Sequence, residues 1–182
     1  MKQNDLPIIG IIPAGGVAKR LGKLPCSKEL LPISPMGQGP TPIGTLLVSN
    51  LIKGGAEEIT WIIRNGKWDI PNYFGSGNAH GVSMNYNIME YPYGPPFTLF
   101  EAYKQFRNKI VLLGFPDILL DHPNPFSPLV DELQNEDFDV ALGVVSTDEP
   151  QKVDIVKMSE DSRIESIIPK PDSDSIKDAW IW

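Results

Sequence analysis

The sequence predicts an α/β fold, a mainly parallel sheet with helices on both faces, and three observations carry that prediction. Short runs of consecutive apolar residues recur, as in Ile8 to Ile12 between Pro7 and Pro13 and in Lys109 to Gly114. Runs of this length without alternation are how strands buried on both faces of a parallel sheet read. Segments with helical periodicity lie between them, and Ile43, Leu46, Leu47, Asn50 and Leu51 form the clearest stripe. The two kinds of segment then alternate at the spacing of βαβ units.

Taken in order, Ile8 to Ile12 is the first strand, and Pro13 to Pro40 reads as loop interrupted by Lys28-Glu29-Leu30-Leu31. Thr41-Pro42 offers an N-cap followed by proline at the first helical position, and Gly54-Gly55 closes that helix. Glu58 to Arg64, rich in Ile, Thr and Trp, is a second strand. Val82, Met84, Tyr86 and Ile88 alternate with Ser83, Asn85 and Asn87, which predicts a strand with one wetter face. Phe97 to Phe106 has helical spacing, and Ser127-Pro128 repeats the cap-plus-proline signal for a helix ending near Asn135. Phe138 to Ser146 reads as a further strand, and Val153 to Met158 with Arg163 to Ile168 as a strand pair. No linker or low-complexity stretch divides residues 1–182, so a single domain is expected. Ala179-Trp180-Ile181-Trp182 reads as the opening of another strand, and the domain is therefore expected to be incomplete at its C-terminal end.

Composition narrows the function classes. The 182 residues are 41% apolar and 9% aromatic, which excludes a disordered chain. Sixteen basic and 23 acidic side chains give a net charge of −7 and a pI near 4.8, a poor general ligand for nucleic acid or anionic membrane. The single cysteine, Cys26, rules out an intramolecular disulfide framework and fits a reducing compartment. The polar start of the chain lacks a long apolar segment, so a cytoplasmic protein is expected. The acidic average hides an asymmetry: Lys19, Arg20, Lys23 and Lys28 fall within ten residues, directly after Gly15-Gly16. That cluster reads as a local anion site on an acidic protein, the plainer reading being a solvated loop.

Ile11 to Ile33 (IIPAGGVAKRLGKLPCSKELLPI) is the segment richest in chemistry. A strand runs into Ala14-Gly15-Gly16, whose backbone N–H groups can close around phosphate oxygens because no Cβ stands in the way. Open α/β sheets bind ligands beyond the carboxyl ends of their strands, which is where this turn falls. Arg20 can grip a phosphate with a bidentate fork and Lys28 adds a mobile point charge. Neither a Walker loop nor the dinucleotide pattern G-x-G-x-x-G is present.

Gly15-Gly16-x-x-x-Arg20-Leu21 followed by Ser27-Lys28-Glu29-Leu30-Leu31-Pro32-Ile33 resembles the signature of the sugar-1-phosphate nucleotidylyltransferases, including the bacterial glucose-1-phosphate uridylyl- and thymidylyltransferases. The resemblance extends along nearly the whole chain. Leu112-Leu113-Gly114-Phe115-Pro116-Asp117 stands where the family has its Gly-Asp metal site, and Pro169-Lys170-Pro171 matches its Glu-Lys-Pro motif with proline replacing the acid. It implies a Rossmann-like sheet of the nucleotide-diphospho-sugar transferase type and a transfer of a nucleotidyl group from an NTP to a sugar 1-phosphate, releasing pyrophosphate. Ala14, Gly15 and Gly16 would then lie against the nucleotide, and Arg20 and Lys28 would be the catalytic cations on its phosphates. Asp117 would bind Mg²⁺ and Lys170 would contact the phosphate of the sugar. Glu90, with Gly94 after it, takes the approximate place of a glutamine that pairs with the base. A carboxylate accepts but does not donate, so the base is left open: Glu90 suits a guanine edge or faces elsewhere.

Duller roles exist for the same residues, a turn at Asp117 and an exposed spacer at Lys170 among them. Cys26 reads as incidental, the four tryptophans as packing, and His80 and His122 lack ligand spacing. A nucleotide- or sugar-phosphate-binding module without turnover, or a transferase acting on a non-sugar phosphate acceptor, are the alternative functions. The sequence is compatible with a homo-oligomer.

Overall fold

The computed structural model describes residues 6–34, 39–91, 94–135, 138–172 and 180–181, of which Lys19, Trp180 and Ile181 by their backbone only. The chain divides into two compact units, Met1–Asp137 and Phe138–Trp182.

In the first unit the apolar runs become a parallel sheet. β1 (Ile8–Ala14) pairs with β4 (Glu58–Arg64) on one side and β6 (Ile110–Leu113) on the other, and β5 (Ser83–Met89) extends the sheet beyond β4. The order is β5-β4-β1-β6. Ile9 and Ile11 point to one face and Ile12 and Ala14 to the other, all of them buried, so β1 needs no polar side. From β1 the chain crosses through α1 (Ile43–Lys53) to β4, and through α2 (Asp69–Phe74) to β5. It then reverses through α3 (Pro95–Phe106) to reach β6, and α4 (Ser127–Asn135) follows. Crossovers of one hand running in opposite directions place their helices on opposite faces. Accordingly Leu47, Val48, Leu51, Ile70, Phe74 and Val130 of α1, α2 and α4 pack on the face of Ile12, while Ala102 of α3 packs on that of Ile9 and Ile11. The reversal makes the gap between β1 and β6 the place where a ligand crevice forms in such sheets.

Several expectations need correction. Thr41 does not cap α1: Thr41–Pro42 is a short strand, β3, pairing antiparallel with β2 (Pro32–Ile33), and no side chain caps the helix. Pairing with Ile33 uses the extended backbone that a cap would have needed for itself. The alternation expected for β5 holds at its start, where Met84 is buried while Ser83 is exposed and Asn85 and Asn87 are partly buried. There Asn87 and Gln105 of α3 exchange side-chain hydrogen bonds at 3.1 Å and Asn85 donates to Glu58 of β4 at 2.6 Å. It fails at the end of the strand. Ile88, expected in the core, is 52% exposed, whereas Met89 is buried under α3. The cover on the other face ends at Tyr86, whose hydroxyl donates to the Gly75 carbonyl at 2.6 Å and whose burial pushes its pKa up to about 12.

The second unit is an antiparallel sheet of β7 (Val145–Ser146), β8 (Ile155–Met158), β9 (Ile164–Ile168) and β10 (Trp180–Ile181), in the order β7-β10-β8-β9. The strand pair 153–158 with 163–168 is present as β8 and β9. The strand expected over Phe138 to Ser146 is paired only at Val145–Ser146, because β10 meets it along two residues. The Arg163 guanidinium lies 4.8 Å over the Phe138 ring. The Ser159 hydroxyl, which donates to Asp161, holds that carboxyl below its ordinary range.

Candidate active site

The loops that follow the parallel strands all leave from one edge of the sheet, and the expected residues other than Lys170 are on or beside them. After β1 the chain passes Gly15, which is buried, and Gly16, which is exposed. Neither glycine has a positive φ. What the position of Gly15 demands is closeness: a Cβ there would stand 2.5 Å from the Met89 Sδ, whereas one on Gly16 would meet nothing within 4 Å. Left-handed backbone occurs further on, at Ala18 (φ 52°) and Gly22 (φ 71°), on either side of the short helical turn Lys19–Leu21. Arg20 in that turn is exposed and makes no hydrogen bond or ion pair among the described residues.

Lys28 is different. Its Nζ lies 2.7 Å from Asp117 Oδ2, an ion pair joining residues 89 apart in the chain. One stands in the loop system after β1 and the other just beyond β6, so the pair spans the gap that the reversal of strand order creates. Asp117 Oδ1 accepts no hydrogen bond among the described residues.

The residues flanking Lys28 are tied to the loop between β4 and α2, which the sequence reading had not singled out. Ser27 donates both its amide and its hydroxyl to Asp69, at 2.6 and 2.7 Å. Glu29 is fully buried and receives the Lys67 ammonium on both carboxylate oxygens, at 2.7 and 2.8 Å. Burial pulls the Lys67 pKa below the ordinary lysine value, against the Glu29 hydrogen bond and charge that raise it; the nearby Lys28 and Arg64 cations add to the lowering. Partial burial pushes the Asp69 carboxyl up, but the Ser27 amide and hydroxyl, with the amides of Asp69 and Ile70, outweigh it and hold the pKa below its ordinary range.

A cleft of about 500 Å³ lies between these loops, with Gly16, Cys26, Lys28, Arg64 and Trp68 on its walls. Cys26 and Trp68, expected to be incidental and a packing residue, thus stand on this cleft; Trp68 is 48% exposed. Of the two tryptophans whose side chains are described, Trp61 packs, fully buried against Phe74 at a centroid distance of 4.8 Å. Glu90 lines a second cavity of about 340 Å³ with Met89, Tyr91 and Phe97. Met89, on this second cavity, also lies against Gly15. Gly94 (φ 111°) precedes α3 and its carbonyl accepts from the Thr98 amide and hydroxyl, both at 3.1 Å. The structure therefore joins Gly16, Lys28 and Asp117, and leaves Glu90 in a cavity of its own.

Lys170 belongs to the second unit, is exposed, and holds a left-handed backbone (φ 34°) between Pro169 and Pro171. Ala179 and Trp182, which figured in the sequence reading, lie outside the described residues. Among the described residues no three His, Cys, Asp or Glu side chains come together as a metal site, and no helix is long and apolar enough to cross a membrane.

A strand-end edge carrying two cations and one carboxylate fits several reaction classes, and comparison with known proteins decides the family. Residues 9–179 match the family model described as Nucleotidyl transferase. The chain belongs to that family. It is 24% identical over 166 residues to the low-salt glycan biosynthesis nucleotidyltransferase Agl11 of Haloferax volcanii, a match covering 90% of this chain and 44% of that protein. The chain thus spans less than half the length of that relative. Its fold is that of nucleotidyltransferases of known structure. A protein described as a glucose-1-phosphate thymidylyltransferase of Bacillus anthracis superposes with a TM-score of 0.76 at 24% identity, over 96% of this chain and 68% of that one. A UDP-glucose pyrophosphorylase complexed with UDP-glucose gives 0.76 at 18% identity, over 97% and 74%. A UTP-bound UGPase from Acinetobacter baumannii gives 0.71 at 12% identity, with the same coverage. Family membership and the α/β sheet with helices on both faces are as the sequence predicted.

Proposed function

We propose that this chain transfers a nucleotidyl group from an NTP to a sugar 1-phosphate, releasing pyrophosphate and forming an NDP-sugar. The observation that carries the reading is the Lys28–Asp117 pair at 2.7 Å, a cation and a carboxylate brought from distant positions to the strand-end crevice beside Gly16. In the reaction an oxygen of the sugar phosphate attacks the α-phosphorus of the NTP in line. A new P–O bond forms as the bond to the β-phosphate breaks and pyrophosphate leaves. Such a step asks for positioning and charge neutralisation rather than a nucleophilic side chain. The amides around Gly15 and Gly16 approach the nucleotide phosphates, while Lys28 and Arg20 neutralise charge that builds on the leaving group. Ala14 borders the nucleotide, Glu90 and Gly94 stand on the base side, and Lys170 meets the phosphate of the acceptor.

Asp117 fits a Mg²⁺ site that is completed by substrate. Magnesium takes one or two carboxylates and fills its shell with phosphate oxygens and water, and Asp117 offers a half-exposed carboxylate with one oxygen that accepts no hydrogen bond among the described residues. When bound, the ion held by Asp117 would supply positive charge to the phosphates.

The UTP, UDP-glucose and thymidylyl chemistry named for the structural neighbours supports testing pyrimidine nucleotides first. The family match runs through both compact units, which supports treating them as one nucleotidyltransferase domain. A cytoplasmic location agrees with nucleotide and sugar phosphate as substrates, and neither nucleic acid nor membrane is a partner in this reading. The test is pyrophosphate release from UTP, dTTP and the purine NTPs, with Mg²⁺ and a panel of sugar 1-phosphates. Release from one nucleotide, abolished by Asp117→Asn, is expected. Saturable NTP binding in calorimetry without release under any condition would replace the reading with that of a binding module.

A further inference from the structure

The buried Glu29–Lys67 pair and the Ser27–Asp69 contacts take no part in the chemistry above, yet they hold the two residues on either side of Lys28. Glu29 is 0% and Lys67 5% exposed. A buried ion pair adds little net stability, because desolvation offsets its attraction and apolar side chains of similar volume serve as well. What it supplies here is direction: the ammonium meets both oxygens of Glu29, leaving that carboxylate one orientation. Ser27 is fixed at its amide and its hydroxyl at once. The backbone closes around the same residues, with Leu30 N donating to the Ser27 carbonyl at 2.8 Å and Leu31 N to that of Lys28 at 3.1 Å. Ile43 N then donates to the Leu31 carbonyl at 3.0 Å, which ties the segment to the start of α1. Of three consecutive side chains two are therefore anchored on the loop after β4, and the third, Lys28, is released across the crevice to Asp117.

We propose that Lys67 and Asp69 are positioning residues that aim Lys28 at the reacting phosphates, Lys67 acting through Glu29 and Asp69 through Ser27. The inference rests on the nucleotidyl-transfer reading for the part Lys28 plays, and on geometry alone for the claim that it is aimed. A lysine ammonium rides on a flexible stem, so a fixed backbone origin narrows the region its charge can reach. The two anchors converge from one loop, which makes the loop after β4 part of the site although it supplies no residue of the signature.

The experiment uses the full chain with Glu29→Met/Lys67→Met, an apolar pair of similar volume, and with Asp69→Ala. Two quantities are read: kinetics of pyrophosphate release, and the rate at which an amine-reactive reagent labels Lys28 in ligand-free protein, followed by mass spectrometry. Asp117→Ala sets the labelling rate of a Lys28 without its partner. The double variant is expected to keep its melting temperature within a few degrees, to label at Lys28 several-fold faster, approaching the Asp117→Ala rate, and to lose about tenfold or more in kcat. KM for the sugar phosphate stays unchanged, which a general loosening of the fold would not allow. Wild-type labelling and wild-type kcat in a folded double variant would overturn the proposal. If the double variant does not fold, Asp69→Ala, at a partly buried position, decides by the same two readouts. If the wild type releases no pyrophosphate, the functional reading fails, while the labelling rates still decide whether these residues aim Lys28.

Discussion

The two cations of the signature are held in opposite ways. Arg20 sits in an exposed turn flanked by left-handed residues and touches no partner among the described residues, whereas Lys28 stands between two anchored neighbours and already faces a carboxylate. A guanidinium of this kind is recruited by a ligand and pays its ordering cost on binding. An ammonium held in advance pays that cost during folding, so more of its interaction remains for the transition state. The difference teaches that one continuous motif combines a preorganised group with an adaptive one, and that the loop after β4 makes the distinction.

The largest expected effect follows from removing the preorganised member. Lys28→Ala should lower kcat by about 10²–10³-fold, the range for loss of a fixed charge-stabilising donor. Steady-state kinetics with saturating nucleotide measure it. A loss no greater than that of Arg20→Ala would break the contrast. The socket itself is tested by Gly44→Ala in α1. A Cβ at Gly44 would stand 2.9 Å from the Glu29 carbonyl oxygen and 3.1 Å from the Trp61 ring, neither of which can swing away. Overpacking at a buried position costs about 1–3 kcal/mol, read by urea unfolding. Gly16→Ala, with open space around it, should stay within about 0.5 kcal/mol of wild type. Equal losses at the two glycines would mean that the segment around Glu29 is no tighter than the loop around Gly16.

Arg20→Ala should act on binding rather than chemistry, raising KM for the nucleotide about tenfold as one charge-assisted contact is lost. Arg20→Lys should recover only part of this, since an ammonium cannot reproduce the bidentate fork. A fall in kcat with KM unchanged would show Arg20 to be as preorganised as Lys28.

Much of this was legible in the chain because the relevant signals are local. Ile8–Ala14 and Ile110–Leu113 announce themselves as buried strands, and Gly15-Gly16, Arg20 and Lys28 are grouped in sequence because one strand-end loop must carry them. Asp117 could be proposed because it follows a buried strand by a few residues. Lys67 and Asp69 could not, since their partners are 38 and 42 residues away and a lysine or aspartate in a polar loop ordinarily faces water. The one available hint was Glu29, a carboxylate among leucines that burial would oblige to find a cation. The end of β5 was misjudged for a related reason: alternation gives two faces, but that Ile88 is left exposed while Met89 is buried depends on where α3 runs.

The smallest effect bears on the anchor at Ser27 and concerns pH. The Asp69 carboxyl has its pKa lowered in the folded chain, while in the unfolded chain it titrates near the ordinary ~3.9. Between those two values the unfolded chain binds more protons, so stability must rise with pH there. The contribution is thus complete above the unfolded value and fades as pH falls through the folded one. Asp69→Asn keeps the shape and the contacts with Ser27, its amide donating to the hydroxyl and its carbonyl accepting from the backbone, but it does not titrate. Wild type should exceed it by about 1 kcal/mol at pH 7, the scale of a partly buried, charge-assisted hydrogen bond. The gap should close as the pH is taken down through 4 to 3, measured by urea unfolding at each pH. A gap that stays constant over that range would mean that Ser27 is held by shape rather than by charge, and the Lys28 anchor would then rest on Glu29–Lys67 alone.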